Sequence, residues 1–471
     1  MANANAIIEE HPEYQARLST LEMYRDLYTG GAEFKKNAWL YLVRRQKEPQ
    51  EVYRERLDRV FYENYAGSIV DWYSATLFRR EPRIVAEGTS TAGREFFSMF
   101  LDDCDRRGTN LSQFFRDQLT NALVYGSSYT LVDFPRAKAT AQNRAEEDAL
   151  GMSRAYLKAI TPLEMTNWSH DEDGNLNWVV VRTARLTKDS IGDPWTEETR
   201  WTYYDKSHFR VYRQCKVDGA KGEVKLVDEG LHALASLNRV PLFELKLTES
   251  MWLMRKAASV QLEHFNKSNG LSWALTMGLF AMPVVYSDRE FRQMMGESYY
   301  IQLGPEDKFG WTEPEGHVYE LAADNLNRLQ REIYRVCYLL SQAGGVLTNG
   351  GQSQSGLSKQ RDFAITYEVL RALGDAVIDV MRNVLRSIEA VRQDGLTIDV
   401  AGLDEFDIGE FSTELEEAER LLSLGIESKT FEEQLQKKLA LKFLSDVRAE
   451  VKDRIAQEIE ASLSEEKPRR K

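Results

Sequence analysis

The sequence predicts a helix-rich α+β protein, and three features of its 471 residues lead to that class. Stretches before residue 126 and after residue 248 repeat apolar side chains at steps of three and four, which places them on one face of a helix. Residues 156–247 instead hold short runs of β-branched and aromatic residues separated by turn signals, as antiparallel strands do. The hydrophobic fraction of 42% is sufficient for large packed cores.

Charge and cysteine content narrow the class of protein. The net charge of −13 argues against binding nucleic acid over the whole surface, because such binding neutralises phosphates with Lys and Arg. This charge does not exclude a protein in which DNA slides past an acidic wall without being held. Cys104, Cys215 and Cys337 lie far apart and in no metal-ligand spacing, so we expect reduced thiols in an intracellular protein. We expect no signal peptide, since the first residues hold no basic region followed by an apolar core, and no membrane span, since no run of 18 apolar residues occurs.

The first third of the chain predicts three helices and a strand. Residues 13–28 carry an apolar stripe that Gly30 and Gly31 end. Residues 51–77 are predicted to form one long helix, and residues 110–125 a third helix that Gly126 closes. Residues 128–133 are strand-like, and the polar stretch 136–154 is predicted to be an exposed connection.

The middle of the chain predicts antiparallel strands. The strand-like runs are 156–160, 176–182, 200–204, 209–212 and 242–245. The acidic sequence Asp171-Glu-Asp-Gly174 resembles part of a calcium loop, but Ser169 and Val180 stand where that loop requires ligands. A hairpin turn is the favoured interpretation.

A helical stretch, a small insert and a second helical stretch follow. Residues 248–280 form a polar and aromatic helix, so we expect one face against a partner helix and the other against solvent or a neighbouring chain. Thr248 or Ser250 is a candidate N-cap. Residues 283–316 predict an irregular β-like insert, and residues 321–340 predict the returning helix.

A polar loop on a long helix is the most distinctive feature of the sequence. Residues 344–358 contain five glycines and mostly Ser, Gln, Asn and Thr, which build no core. From residue 358 to residue 392 an apolar stripe predicts a helix on the order of 50 Å long, with Gly395 as its stop. The stripe comprises Phe363, Tyr367, Leu370, Leu373, Val377, Val380, Val384, Ile388 and Val391.

Three interpretations of this loop stay open. The spacing from Gly351 to Gly356 resembles a phosphate-binding loop with Ser358 in place, but Leu357 occupies the position of the required lysine. An ordinary flexible loop and a loop that touches a moving partner are the alternatives to a nucleotide site.

The C-terminal part predicts short strands and a charged helical region. Residues 396–400 and 406–411 are strand-like, and residues 414–466 combine many charges with an apolar stripe. We interpret these charges as a solvated face. The basic tail 467–471 is predicted to be frayed, with a nucleic-acid contact as the alternative.

No catalytic constellation is found. The six histidines are scattered, and none has a second His or Cys at metal-ligand spacing. Nucleophile-elbow and zinc-protease motifs are absent from the sequence. We therefore expect no enzyme activity, no metal and no cofactor.

Several runs resemble the N-terminal half of tailed-bacteriophage portal proteins. They are 23–31 (MYRDLYTGG), 53–62 (YRERLDRVFY), 77–82 (LFRREP), 123–126 (LVYG) and 131–135 (LVDFP). The order of elements in 248–392 resembles the stem, clip, stem, tunnel loop and spine of the same family. The resemblance covers nearly the whole chain as an order of elements rather than as one specific motif.

The resemblance implies a portal-like protomer with an antiparallel β wing, two stem helices, a small β clip, a long spine helix and a helical C-terminal crown. The implied domains are a wing at 1–247 completed by 395–411, stem helices at 248–282 and 321–343, a clip at 283–320, a tunnel loop at 344–358, a spine at 359–394 and a crown at 412–471.

The resemblance also implies a function. The family forms rings of twelve copies, so the implied role is a dodecameric homo-oligomer at one capsid vertex of a virion, through which double-stranded DNA is packaged and ejected. Implied partners are terminase, a head-tail adaptor, and the major capsid and scaffolding proteins, with assembly in the host cytoplasm and no membrane. Another capsid or connector ring component, or a nucleotide-binding enzyme using the loop from Gly351 to Lys359, is the alternative.

Two sets of candidate site residues follow. In the tunnel loop, small or neutral polar groups suit a DNA backbone that slides past without being held, and Lys359 is the nearby cation, with an exposed lysine at a helix start as its alternative role. The loop candidates are Thr348, Asn349, Gln352, Gln354, Ser355 and Lys359, and the clip candidates for partner binding are Arg289, Arg292, Tyr299, Tyr300 and Trp311.

Overall fold

The fold is α+β and rich in helices, as the sequence predicts. Helices and antiparallel sheets occupy separate stretches of the chain. The computed structural model describes residues 6–135, 154–188, 190–217, 220–279, 282–286, 306, 308–312, 316–339, 356–404, 428–443, 451, 454–455 and 458–459.

Ten α-helices lie in these ranges of the chain. They are α1 (Pro12–Thr29), α2 (Gly31–Asn37), α3 (Gln50–Asp58), α4 (Tyr65–Leu77), α5 (Thr91–Asp102), α6 (Leu111–Tyr125), α7 (Leu253–Leu279), α8 (Gly316–Val336), α9 (Gly356–Arg392) and α10 (Lys429–Phe443).

The strands in the same ranges are β1 (Arg83–Glu87), β2 (Ser127–Asp133), β3 (Tyr156–Ile160), β4 (Met165–His170), β5 (Leu176–Thr187), β6 (Thr196–Asp205), β7 (His208–Val217), β8 (Ala220–Lys221), β9 (Lys225–Leu231), β10 (Leu242–Lys246), β11 (Met282–Tyr286), β12 (Lys308–Thr312) and β13 (Thr397–Ala401).

Helix α1 has a side-chain cap at its start and a glycine at its end. Helix α1 begins after His11, whose Nδ1 accepts the Glu13 N–H at 3.2 Å. It ends at Gly30, which has φ +62°, and α2 follows at once. Helix α4 is the centre of the helical layer, since Ile69 and Tyr73 are fully buried.

The single helix predicted for 51–77 is wrong, because the structure has α3 and α4 with an extended link between them. Side chains from α7 hold this link. Asn269 accepts a hydrogen bond from the Phe61 N–H at 3.1 Å and donates one to the Phe61 carbonyl at 2.9 Å. Asn64 then caps α4 by accepting the Gly67 N–H. The backbone groups of the link are thus satisfied without a helix.

Two elements that the sequence does not predict lie between residues 80 and 103. Strand β1 pairs antiparallel with β13, with Arg83 opposite Ala401. The strand predicted at 396–400 is therefore confirmed, and its partner lies more than 300 residues earlier in the chain. Helix α5 starts at the N-cap Ser90 and buries Phe96, Phe97 and Phe100.

The strands predicted between residues 128 and 245 are confirmed as antiparallel, but they divide into two sheets. One is a three-stranded sheet in the order β10-β2-β3. The other is a six-stranded sheet in the order β4-β5-β6-β7-β8, with β9 also paired to β7. The hairpin turn predicted at Asp171 is confirmed: its Oδ1 accepts the N–H groups of Asp173 and Asn175, and Gly174 has φ +82°.

Helices α7 and α8 pack against each other and are joined through the β11–β12 hairpin. The predicted helix at 248–280 begins later, at Leu253, because Thr248 forms a preceding turn in which its carbonyl accepts the N–H groups of Met251 and Trp252. Thr248 and Ser250 are therefore not the N-cap. Helix α8 begins at Gly316 and ends at Val336, about four or five residues earlier at each end than predicted.

The long helix α9 has 37 residues and is about 55 Å long. Most of its predicted stripe is buried against β10, β13 and the helical layer. Tyr367 is 37% exposed, and Val380 and Val391 are half-buried. The helix ends at Arg392, three residues before the predicted stop at Gly395, and the next residue, Gln393, already has φ +57°. The fully buried stripe comprises Leu370, Leu373, Val377, Met381, Val384, Leu385 and Ile388.

Some predicted features lie outside the described residues. They are the connection at 136–153, most of the insert at 287–307, the loop at 344–355, the strand at 406–411 and the tail. Of the charged region at 414–466, α10 is confirmed as a helix. The division into wing, stem, clip, spine and crown stays a prediction.

Candidate assembly surface and inter-sheet cleft

The outer halves of α7 and α8 form a projecting pair, which we call the arm (residues 270–279 and 316–328). Among the described side chains, the last nine-tenths-buried residue of α7 is Asn269, and the first of α8 is Leu329. Within the arm, the Tyr319 hydroxyl donates to the Ala274 carbonyl at 3.4 Å, so the two helices contact each other. The arm therefore extends past the packed body of the protein.

The tip of the arm is the antiparallel hairpin β11–β12. Pro283 lies opposite Trp311, and Tyr286 lies opposite Lys308. Tyr286 is 64% exposed. Trp311 is thus placed on the hairpin, whereas the other four clip candidates lie outside the described residues: Arg289, Arg292, Tyr299 and Tyr300.

The arm carries exposed aliphatic side chains. Val318 is 62% exposed, Leu321 is 56% exposed and Leu275 is 43% exposed. Two helices of this length bury little surface by themselves, and most helical stability comes from tertiary packing of an apolar face. These exposed apolar side chains make the arm a candidate interaction surface.

The polar residues of α7 are used inside the chain. Gln261 accepts the Ala66 N–H at 3.1 Å and donates to the Glu63 carbonyl at 2.8 Å. Asn266 accepts the Val43 N–H at 2.8 Å. The sequence predicts one face of this helix against a partner helix and the other against solvent or a neighbouring chain. The hydrogen bonds of Gln261, Asn266 and Asn269 are made within the chain, to the start of α4, the link before it and the loop before α3.

The base of α8 is locked to α9. Tyr338 follows α8 with φ +62°, and the Leu339 N–H bonds back to the Tyr334 carbonyl at 2.9 Å, which closes the helix as a Schellman motif. Thr366 of α9 donates to the Tyr338 carbonyl at 2.6 Å. The Lys256 ammonium lies 4.1 Å from the centroid of the Tyr338 ring.

This lock fixes both elements that flank residues 340–355. The predicted loop residues Thr348, Asn349, Gln352, Gln354 and Ser355 lie outside the part of the chain that the structure describes. Lys359 lies in the first turn of α9, and only its backbone is described.

A second apolar surface, the corner patch, consists of Trp39, Leu40 and Val43. These residues are 61%, 55% and 67% exposed. The backbone under them is held in place, since Tyr53 donates its hydroxyl to the Leu42 carbonyl at 3.1 Å. A groove of about 930 Å³ runs beside the patch between α1 and α7. Large apolar side chains on a fixed backbone are typical of protein interfaces.

A cleft opens where the two sheets diverge. At its closed end, Val181, Tyr204 and Phe209 of the six-stranded sheet pack against Leu131 and Ile160 of the three-stranded sheet. Along the same face of β5 and β6 the side chains become polar, because residues two apart on a strand share a face. Thr183 lies opposite Arg200, and Arg185 lies opposite Glu198.

The mouth of this inter-sheet cleft is cationic. Its volume is about 830 Å³. Among the described lining residues, two carboxylates, Asp133 and Asp228, stand against five cations. The cations are Arg106, Arg107, Lys158, Arg185 and Arg200.

The cations differ in how they are neutralised. Glu198 forms ion pairs with Arg200 and with Arg185, whose Nη2 lies 3.0 Å from Glu198 Oε1. Burial acts to raise the pKa of Glu198, but the two guanidinium groups lower it below its usual value. Lys158 has no such partner among the described carboxylates. Loss of water between the cleft walls lowers the pKa of the Lys158 ammonium. The carboxylate of Glu164 acts to raise this pKa, whereas the positive charges of Arg107 and Arg200 lower it further.

The sequence does not single out the inter-sheet cleft. Its cations come from the turn before α6 and from three separate strands, and only the packing of two sheets brings them together. The one local signal is the spacing of Arg200, Thr202 and Tyr204 at every second residue of β6. It places Arg200 on the same face of the strand as Tyr204, which packs in the core between the sheets.

The described residues do not have the geometry of a metal-binding site. In the ranges described, no group of three His, Cys, Asp or Glu side chains could hold a metal ion. Cys104, Cys215 and Cys337 are free thiols. No helix in these ranges combines the length and the apolar character needed to span a membrane.

Comparison with protein-family models and with curated proteins finds no match. Solved structures of low similarity are found. The neck of an empty gene transfer agent (GTA) particle, computed with C6 symmetry, contains a chain that is 12% identical with a TM-score of 0.42, covering 78% of this chain and 88% of that chain.

Two further structures come from related particles. In the virion of a native GTA particle a chain is 10% identical with a TM-score of 0.41, over 82% of this chain and 93% of that one. In the neck of a native GTA particle computed with C12 symmetry, a chain is 12% identical with a TM-score of 0.36, covering 76% of this chain and 84% of that chain. All three chains come from neck or virion structures of GTA particles.

Proposed function

We propose that this protein is a portal-type connector subunit: copies assemble into a ring at one capsid vertex, and the ring is the channel through which double-stranded DNA is packaged and ejected. The observation that carries the proposal is the arm with its hairpin tip, followed along the chain by the long helix α9. This order of helix, hairpin, helix and long helix supports the stem, clip and spine assignment.

The exposure of the arm supports the proposed ring formation. A two-helix element that leaves Val318 and Leu321 in water gains stability when other copies cover it. Cyclic symmetry supplies such cover for every copy through one repeated head-to-tail contact. The corner patch offers a second apolar surface for the same kind of contact.

The channel is proposed to be acidic and weakly adhesive. The net charge of −13 supports this, because an anionic wall repels phosphates and prevents a tightly bound state that would stall the DNA. We propose that the polar loop at 344–355 and Lys359 face the DNA, since α9 and the base of α8 hold its two ends.

The remaining roles belong to the same proposal. The hairpin at the tip of the arm, with Trp311, is proposed to meet terminase during packaging and a head-tail adaptor afterwards. Capsid and scaffolding proteins would surround the ring in the virion. The role is structural rather than catalytic, and its assembly takes place in the host cytoplasm.

Particle images of the purified full chain test the ring. We expect rings with a central channel, and Leu321→Glu should shift the protein to smaller species, because it puts a charge in place of an exposed apolar side chain that other copies are proposed to cover. Asn327→Glu, at an exposed polar position of the same helix, is the matched control and should leave the rings intact.

Monomers of the unsubstituted chain under all conditions would contradict the ring. Intact rings in the Leu321→Glu protein would instead show that the arm is not the contact between copies. Mass measurement by light scattering accompanies the images, so that aggregation is not mistaken for a ring.

A further inference from the structure

We propose that the inter-sheet cleft binds an acidic peptide segment of a partner protein, with Lys158, Arg106 and Arg107 contacting its carboxylates. The proposal concerns a surface of the β region and does not depend on ring assembly.

The first step is the availability of charge. Arg185 and Arg200 share Glu198, whereas neither Arg107 nor Lys158 forms an ion pair with a described carboxylate. Arg106 lies over the Tyr156 ring at 5.7 Å, which orients its guanidinium at the mouth. Arginine binds carboxylates through two parallel hydrogen bonds, so this mouth suits carboxylate-bearing ligands.

The second step is shape. Packed sheets lie about 10 Å apart, so a cleft between two diverging sheets admits one extended chain and excludes a nucleic-acid duplex. The volume of about 830 Å³ suits a short segment.

The third step separates a peptide from a single nucleic-acid strand. Single strands bind by stacking bases on exposed aromatic rings. In this cleft Tyr204 and Phe209 are buried in the packing between the sheets, and Arg106 covers Tyr156. No free stacking surface is left on these three rings, and the fourth ring of the lining, Phe134, is half-buried and packs against the main hydrophobic core.

The fourth step is the charge of the whole chain. A long polyanion that extends beyond the cleft meets a protein of net charge −13 and is repelled. A short acidic segment touches only the cationic mouth. Ala184, Pro135 and Val211 also line the cleft, which favours a segment in which acidic and apolar residues alternate.

Fluorescence anisotropy with the full chain tests the proposal. The probe is a short labelled peptide in which Glu alternates with Leu or Val, and the matched control probe has Gln in place of Glu. We expect binding of the acidic probe only, weakened by added salt. The Lys158→Gln and Arg107→Gln substitutions should each weaken it about tenfold, the loss expected for one charge-assisted hydrogen bond.

The control variant is Arg210→Gln, because Arg210 lies on the opposite face of the same sheet, next to Tyr203 and Glu229. It should bind like the unsubstituted chain. Thermal unfolding of each variant shows whether the fold is retained.

Three results would overturn the proposal. They are equal binding of the Glu and Gln probes, retention of full affinity in the Lys158→Gln and Arg107→Gln proteins, and tighter binding of a single-stranded oligonucleotide through the same residues. Particle images of the same variants separate this result from the proposed function, because rings should form in all of them.

Discussion

Gly126 occupies a position that no larger residue can take without cost. It ends α6 with φ +86°, and a Cβ built there would lie 2.8 Å from the Trp252 indole. The indole is itself fixed, since its N–H donates to the Val124 carbonyl at 2.9 Å. Gly174 has a similar φ of +82°, but a Cβ added to it would meet no atom within 4 Å.

The two glycines make a matched pair for a residue-scale prediction. Gly174→Ala should lower the free energy of unfolding by about 1 to 2 kcal/mol, the cost of a left-handed backbone for alanine. Gly126→Ala should lose about 1 to 3 kcal/mol more, because the methyl group also forces Trp252 to move. Urea unfolding of both proteins measures the difference. Equal losses would mean that the indole moves freely.

At the scale of elements, α7 organises the N-terminal helices through side-chain amides. Gln261 is fully buried, and Asn269 is 8% exposed. Each provides both a donor and an acceptor to backbone groups of the link before α4. A side-chain amide can replace a neighbouring strand or helix in this way because it carries one carbonyl and one N–H₂ group.

The Gln261→Leu substitution tests this role of α7. It keeps the size of the side chain but leaves the Ala66 N–H without its partner, whereas the Glu63 carbonyl still accepts the Tyr65 N–H at 3.1 Å. We expect a loss of about 1 to 3 kcal/mol in the free energy of unfolding, the cost of one orphaned buried group. Lys267→Leu, at an exposed position of α7, is the control and should change stability by less than about 0.5 kcal/mol. A small effect of Gln261→Leu would show that water replaces the amide.

At the scale of the whole molecule, two buried histidines predict a pH dependence. His232 and His264 are each 3% exposed, and burial lowers the pKa of both rings. The folded state therefore holds them neutral, while the unfolded chain binds protons near pH 6.5. Stability is fully present above that pH and is lost as the pH falls through it.

Urea unfolding between neutral and mildly acidic pH measures this effect. The unsubstituted chain should become less stable as the pH falls, and a His232→Gln, His264→Gln double variant should show a flatter profile over that range. The Lys267→Leu protein should keep the slope of the unsubstituted chain, because it changes no group that titrates there. An unchanged slope in the double variant would assign the pH dependence to other groups.

Local pattern predicts much of the fold. The apolar stripe of α9, the antiparallel strands and the turn at Asp171 depend on neighbours within a few residues, so their spacing is visible in the sequence. The break between α3 and α4 leaves no local signal because Asn269 and Gln261, about 200 residues away, satisfy the backbone there. Strand β1 is hidden for the same reason, since its partner β13 lies at the far end of the chain.

The sequence by itself determined the class of this protein: a helix-rich α+β chain, acidic, with two helices around a β insert and a long helix after a polar loop. Periodicity and composition carry that information residue by residue. Only the tertiary structure decided which polar groups are already satisfied within the chain and which surfaces stay open. Burial depends on elements far apart in sequence, so the arm, the corner patch and the inter-sheet cleft emerge only when these elements are packed together.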